Sequence, residues 1–232
     1  EGKVGYICAY SGKLANSNHV SFFVPPVFDM LDEESFFLSE ELILNDLNAK
    51  IEVLNLDSTH LSNLTRFQNL QKEKDLVILE KKNNNKKLKV ERKKLREIKL
   101  LELNSSDYAD FEADLIKQSL RDKHELHVLL EEYHLKLQAL KNEIDIFENE
   151  IEQLKEERKS RSNLLQRKLF QSYAFLNAKG ETKNLLDIFE THLHLQPPAG
   201  AGECCAPKLL HFAYKHALKP LALAEFWWGV SP

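Results

Sequence analysis

Three cysteines are all this chain has in 232 residues: Cys8, Cys204 and Cys205. Three thiols cannot build a disulfide framework, and adjacent Cys204 and Cys205 would bridge only with strain. That shortage points to a reducing, cytoplasmic setting. No apolar run approaches the roughly 20 residues that a membrane span needs, and no signal peptide opens the chain. A large charge of one sign is also missing: the formal net charge is −4, so overall charge alone does not make the chain a polyanion binder. No acid–base pair and no nucleophile with a partner is discernible, which disfavours a self-contained enzyme. Hydrophobic residues make up 43% and charged residues 29%, and the apolar positions are regularly spaced, which fits an exposed helical surface rather than disorder. The chain begins without methionine and stops just after an apolar run, so it reads as a piece of something longer.

Proline and glycine are missing for 153 residues, from Val27 to Lys179. Nothing there punctuates the backbone, and residues 39–179 read as helix. In the second half Leu126, Leu130, Tyr133, Leu137, Leu140, Ile144, Phe147, Ile151 and Leu154 alternate steps of four and three, the spacing of a coiled-coil seam. The first half carries a looser stripe: Leu44, Leu47, Ile51, Leu54, Leu61 and Leu64, then Leu95, Ile98 and Leu101. Between the halves Asn104-Ser105-Ser106-Asp107 is the best turn and N-cap signal in the stretch. Two helices of about 65–70 residues meeting there would each reach roughly 100 Å. Folding back lets each bury its stripe on the other, so an antiparallel hairpin is preferred over one continuous dimerising helix.

The ends differ from this arm. Val4–Tyr10 is apolar, β-branched and aromatic and reads as a buried strand; Pro25-Pro26 forces extended or turn backbone. At the arm's exit Gly180 sits where a helix C-cap is wanted, and a short helix is predicted from Thr182 to about Phe189. Pro197–Gly202 is a tight loop, Pro207 suits a helix's first turn, and Pro220 stops that helix. Leu221–Trp228 then reads as a strand buried on both sides. The fold class that follows is mainly α: a long antiparallel coiled-coil helical hairpin (39–179, turn near 104–107) on a small α/β base formed by both chain ends (1–38 and 180–232).

Five places could carry chemistry. Gly5…Gly12-Lys13 resembles a phosphate-binding loop but has Ile7 and Leu14 where that loop needs glycine and Ser or Thr, and is rejected. His127, Glu131 and His134 share a helical stripe, yet the heptad places them off the seam and toward water; Glu190-x-His192-x-His194 reads as loop histidines near a helix end. The basic run is stronger: ten cations stand against three acids over residues 80–99, and Lys86, Lys87, Lys89, Arg92, Lys93, Lys94 and Arg96 are its candidate RNA contacts. No aromatic residue interleaves, so base stacking there is not supported; a solvated helix face is the competing reading. Cys204 and Cys205 sit in a glycine loop at a helix start, where the helix dipole favours the thiolate that ligates metal or reacts. No CxxC pair accompanies them, so a structural zinc would need ligands beyond residue 232; buried structural cysteines are the alternative.

PPAGAGECCAPKLLHFAYKHALKPLALAEFWWGVSP (Pro197–Pro232), together with GYICAYSGKL (Gly5–Leu14), FVPPVFDML (Phe23–Leu31), KEERKSRSNLLQRKL (Lys155–Leu169) and FLNAKGE (Phe175–Glu181), resembles the amino-terminal extension of long RluA-family pseudouridine synthases. The resemblance covers both ends and the exit of the helical arm; the middle matches only as coiled coil. It implies an RNA-modifying isomerase that converts uridine in structured RNA to pseudouridine with an essential aspartate and no cofactor. The family's aspartate motif, resembling HRLDxxTSG, does not occur here, so the synthase domain is expected downstream. The extension resembles one that continues into further cysteines, which is reminiscent of a nucleobase-deaminase zinc site; the acid/base glutamate is missing, with Ala206 and Pro207 in the two places it could take. The expected role is therefore an accessory region that positions structured RNA (rRNA or tRNA), dimerises through the coiled coil, or both. The rival is a structural coiled-coil module without RNA contact.

Overall fold

The computed structural model describes residues 2–229, the side chains of His192 and Leu193 excepted. Helices dominate it: α1 (Phe36–Asn55), α2 (Ser58–Glu102), α3 (Ser105–Ser172), α4 (Leu185–Ile188) and α5 (Cys205–Lys215). One two-stranded antiparallel sheet joins them, β1 (Ala174–Leu176) with β2 (Thr182–Asn184), in the register Ala174↔Asn184. No helix among the described residues is long and apolar enough to cross a membrane. The chain divides into two compact units, Lys50–Gln153 and Glu1–Ala49 with Leu154–Pro232.

The first unit is built on α2 and α3. The expected turn is tight: α2 ends at Glu102, α3 begins at Ser105, and Asn104 caps it. Asn104 Oδ1 accepts from the Asp107 amide at 2.9 Å, which caps the helix start, and Asn104 Nδ2 donates to Asp107 Oδ2 at 2.9 Å, which holds the capping side chain in place. Side chains of α2 and α3 meet in reverse order. Asn63 donates to Glu143 at 2.9 Å, Tyr133 donates to Glu73 at 2.8 Å, and Lys81 pairs with Glu125 at 2.6 Å. On α3, Tyr133, Leu140, Ile144 and Ile151 are buried; Leu130 is exposed and half-buried Leu129 takes its place. The stripe on α2 is much more polar, with His60, Asn63 and Arg92 buried alongside Ile78.

One helix was expected from residue 39 to the turn, and the structure breaks it at Leu56-Asp57. The Asp57 carboxylate accepts from the amides of Thr59 at 2.7 Å and His60 at 3.1 Å, which starts α2 afresh.

The second unit has its core where α3 ends. Phe170, Tyr173, Leu185 and Leu186 are buried, with Val27, Phe28 and Met30 of the amino-terminal segment packed on them. α3 stops at Ser172 rather than 179, and Gly180 is no helix cap. It turns the β1–β2 hairpin at φ +81°, where the Asn177 side chain accepts from the Lys179 and Glu181 amides. The helix predicted from Thr182 to about Phe189 begins later, at α4, capped by Asn184, and runs on as a π-helix from Phe189 to Leu193. Gly202 packs face-on against Tyr173: a Cβ there would lie 2.4 Å from the ring, so no other residue fits without displacing it. α5 ends at Lys215, before Pro220, where Ala217 takes a left-handed conformation and the Leu218 amide bonds the Ala213 carbonyl at 2.8 Å.

Neither predicted buried strand forms. Val4–Tyr10 makes a single bridge, Cys8 with Phe23, and leaves Val4 and Tyr6 at 75% and 97% exposure. Leu221–Trp228 is irregular, with Phe226 and Trp228 at 76% and 89%. Extended apolar segments stay buried only when a neighbour completes their hydrogen-bond ladder, and among the described residues neither has one. The amino-terminal segment is held instead by Asp29. Burial alone would raise its carboxyl's pKa, but hydrogen bonds from Asn18, the Leu31 amide and His19 outweigh that and keep it below the ordinary value.

Candidate functional site

The basic run lies on α2, and the structure sorts its cations into two sets. Arg92 is a correction to the sequence reading. Its side chain is 9% exposed and its guanidinium lies 2.6 Å from the Asp122 carboxylate of α3, so it is an interhelical tie and not an outward contact. Arg96 faces Glu112 of α3 at 3.7 Å and is half-buried. Lys81 pairs with Glu125, and Lys99 with Glu102 at 2.6 Å. Four of the ten cations are thereby neutralised within the protein. The other six, Lys82, Lys86, Lys87, Lys89, Lys93 and Lys94, are exposed and form no ion pair among the described residues. The reason lies on α3: residues 105–125 carry six acids, and three of them answer α2's inward cations. Helical spacing decides which cations those are, because only positions on the inward stripe reach across.

His127, Glu131 and His134 are all exposed, as their place off the seam requires. The Glu190/His192/His194 group includes His192, which lies outside the described side chains.

Cys204 is exposed and occupies the N-cap position of α5 without a capping side-chain bond; Cys205, half-buried, has its Sγ 3.2 Å from Ser11 Oγ. All three cysteines are free thiols, and among the described residues no group of three or more His, Cys, Asp or Glu side chains is placed to hold a metal ion.

Beside these cysteines is a buried polar cluster that the sequence did not reveal. Glu203 accepts from the Tyr173 hydroxyl at 2.5 Å, and its other oxygen lies 2.5 Å from Lys208 Nζ. Lys208, 3% exposed, also donates to the Tyr10 carbonyl at 3.2 Å and stands 5.6 Å from the Tyr10 ring centre. Burial, reinforced by the Glu203 hydrogen bond, pushes the Tyr173 phenol well above its usual pKa, so it remains a donor. Glu203 comes from the glycine loop, Lys208 from α5 and Tyr173 from the end of α3. The only prior hint was an acid five residues before a lysine in an apolar helix.

A second tie joins α5 to the sheet. His211 Nδ1 accepts from the Leu176 amide at 3.1 Å, which requires a neutral imidazole, and burial followed by the Lys215 charge lowers its pKa below 6.5. A histidine depressed in the folded state adds stability above its unfolded pKa and loses it as pH falls through the folded value. The urea midpoint should therefore drop between pH 7.5 and pH 5 by more in the wild type than in His211→Gln. Equal drops would show that this imidazole is not coupled to folding.

No family model, no curated protein and no solved structure matches the chain.

Proposed function

We propose that the chain is the accessory, RNA-positioning region of an RluA-type RNA pseudouridine synthase, acting in the cytoplasm with its catalytic aspartate outside this chain. In this reading α2 and α3 form a long antiparallel coiled-coil hairpin that serves as an RNA arm. The observation that carries it is the set of six exposed lysines on α2 left over after three acids of α3 and Glu102 have neutralised the rest. Unpaired cations on a rigid helix neutralise phosphates without any sequence code, which is what positioning a structured RNA requires. The quoted resemblances supply the enzyme class.

Replacing Lys86, Lys87, Lys89, Lys93 and Lys94 by glutamine should weaken binding to a folded tRNA by on the order of 10²-fold and flatten its salt dependence. Unchanged affinity and slope would sink the RNA-arm reading.

A second reading, a coiled-coil module that dimerises, is favoured by a different observation. Leu76, Leu79, Leu101, Leu120, Leu135 and Ile146 are exposed on α2 and α3, more apolar surface than a lone helical pair needs. Light scattering separates the two: a dimer that binds no RNA supports this one.

A further inference from the structure

The arrangement of the unpaired charges on α2 distinguishes one kind of RNA from another. Lys82, Lys86, Lys89 and Lys93 follow steps of four, three and four, so they line one face of α2 in a row of roughly 16 Å. Lys87 and Lys94 lie about a third of a turn further round. The row is held in place by its neighbours. Lys81, Asn85 and Arg92 bond to Glu125 and Asp122, which fixes α2's rotation and keeps the four lysines on the outer flank.

Two features argue against a base-reading role. Arg92, the arginine at the middle of the run, is hydrogen-bonded to Asp122, and the Arg96 charge is balanced by Glu112 at 3.7 Å, so the unbalanced charge of the run is all lysine. No aromatic residue occurs between Phe67 and Tyr108, so unpaired bases have nothing to stack on. What remains is a straight row of lysines, point charges that match phosphates, with Asn83 and Asn84 exposed next to Lys82 as partners for sugar hydroxyls. A regular, rigid phosphate lattice satisfies such a row; a flexible strand has to be ordered first and offers its bases unused.

Resting on the RNA-arm reading, we infer that Lys82, Lys86, Lys89 and Lys93 form a docking row for the sugar–phosphate backbone of double-helical RNA, bound by shape and charge and not by sequence.

The experiment is fluorescence anisotropy of the full 232-residue chain with a 20-base-pair RNA hairpin and with a uridine oligomer of equal length. The hairpin should bind at least tenfold tighter, and log K should fall against log salt with a slope of about −3 to −4, four phosphates at roughly 0.9 each. K82Q/K86Q/K89Q/K93Q should lose on the order of 10²-fold on the hairpin, with helix content by circular dichroism unchanged. K87Q/K94Q should lose less than about threefold, since those lysines lie off the row. Equal binding of the oligomer and the hairpin, or an equal loss in the two variants, overturns the docking row while leaving an RNA arm standing. Binding of neither RNA overturns both readings, as does retention only on anionic lipid vesicles.

Discussion

Lys208→Met should lower the stability of the unit containing α5 by about 3–5 kcal/mol, because removing one partner of a buried ion pair strands the other charge. Glu203 is that charge: its side chain is only 10% exposed, and without Lys208 it keeps the Tyr173 hydroxyl alone. The loss extends beyond the pair. Lys208 also holds the Tyr10 carbonyl, and with the Ser11–Cys205 contact it ties the amino-terminal segment to α5, a link that the bonds within that segment, such as those to Asp29, do not replace. Amide exchange over residues 8–24 should therefore accelerate in the same variant. A near-UV circular dichroism urea titration gives the stability, and the charge argument is isolated by a second substitution. Lys208→Met with Glu203→Gln removes both charges and should recover the stability to within about 1–2 kcal/mol of the wild type, since an uncharged pair of similar volume costs little. A single variant that loses less than about 1 kcal/mol would mean that water reaches Glu203 and the pair acts as a surface pair.

How far these features could be read beforehand depends on whether they are local. The turn at residues 103–104 was legible because its cap is made by residues three apart, Asn104 and Asp107. The break at Asp57 was equally local, with Asp57-Ser58-Thr59 as its signal, yet Leu54 and Leu61 are a full heptad apart and carry the apolar stripe across it undisturbed. The strands went wrong for a non-local reason. Val4–Tyr10 and Leu221–Trp228 have strand-like composition, but composition does not say whether a partner will pair with them. The real strands are three residues each, too short to show any period, and the glycine between them served a hairpin as well as it would have served a helix end. The basic run was legible as charge alone. Which of its members face inward is decided by α3 acids some 16 to 44 positions further on, as Arg96–Glu112 and Lys81–Glu125 illustrate.

That division makes Arg92 the discriminating residue of the first unit. Counted among the RNA contacts by sequence, it is buried by structure, and the two assignments predict opposite results. As a tie between α2 and α3, Arg92→Met should cost about 3 kcal/mol, the lower end of the range for a broken buried pair. The lower end applies because Asp122, with 18% of its side chain exposed, regains some water once it is alone. Pairing that change with Asp122→Asn should return most of the loss, as replacing both charges avoids a stranded one. Far-UV circular dichroism in urea follows both. RNA affinity, measured where the variant is still folded, should stay within about twofold, because a guanidinium 2.6 Å from a carboxylate has no charge to spare for a phosphate. If Arg92→Met instead leaves stability unchanged and weakens RNA binding about tenfold with a shallower salt slope, the guanidinium turns outward in solution. The lysines of the row would then share their phosphates with a residue that can also read a base.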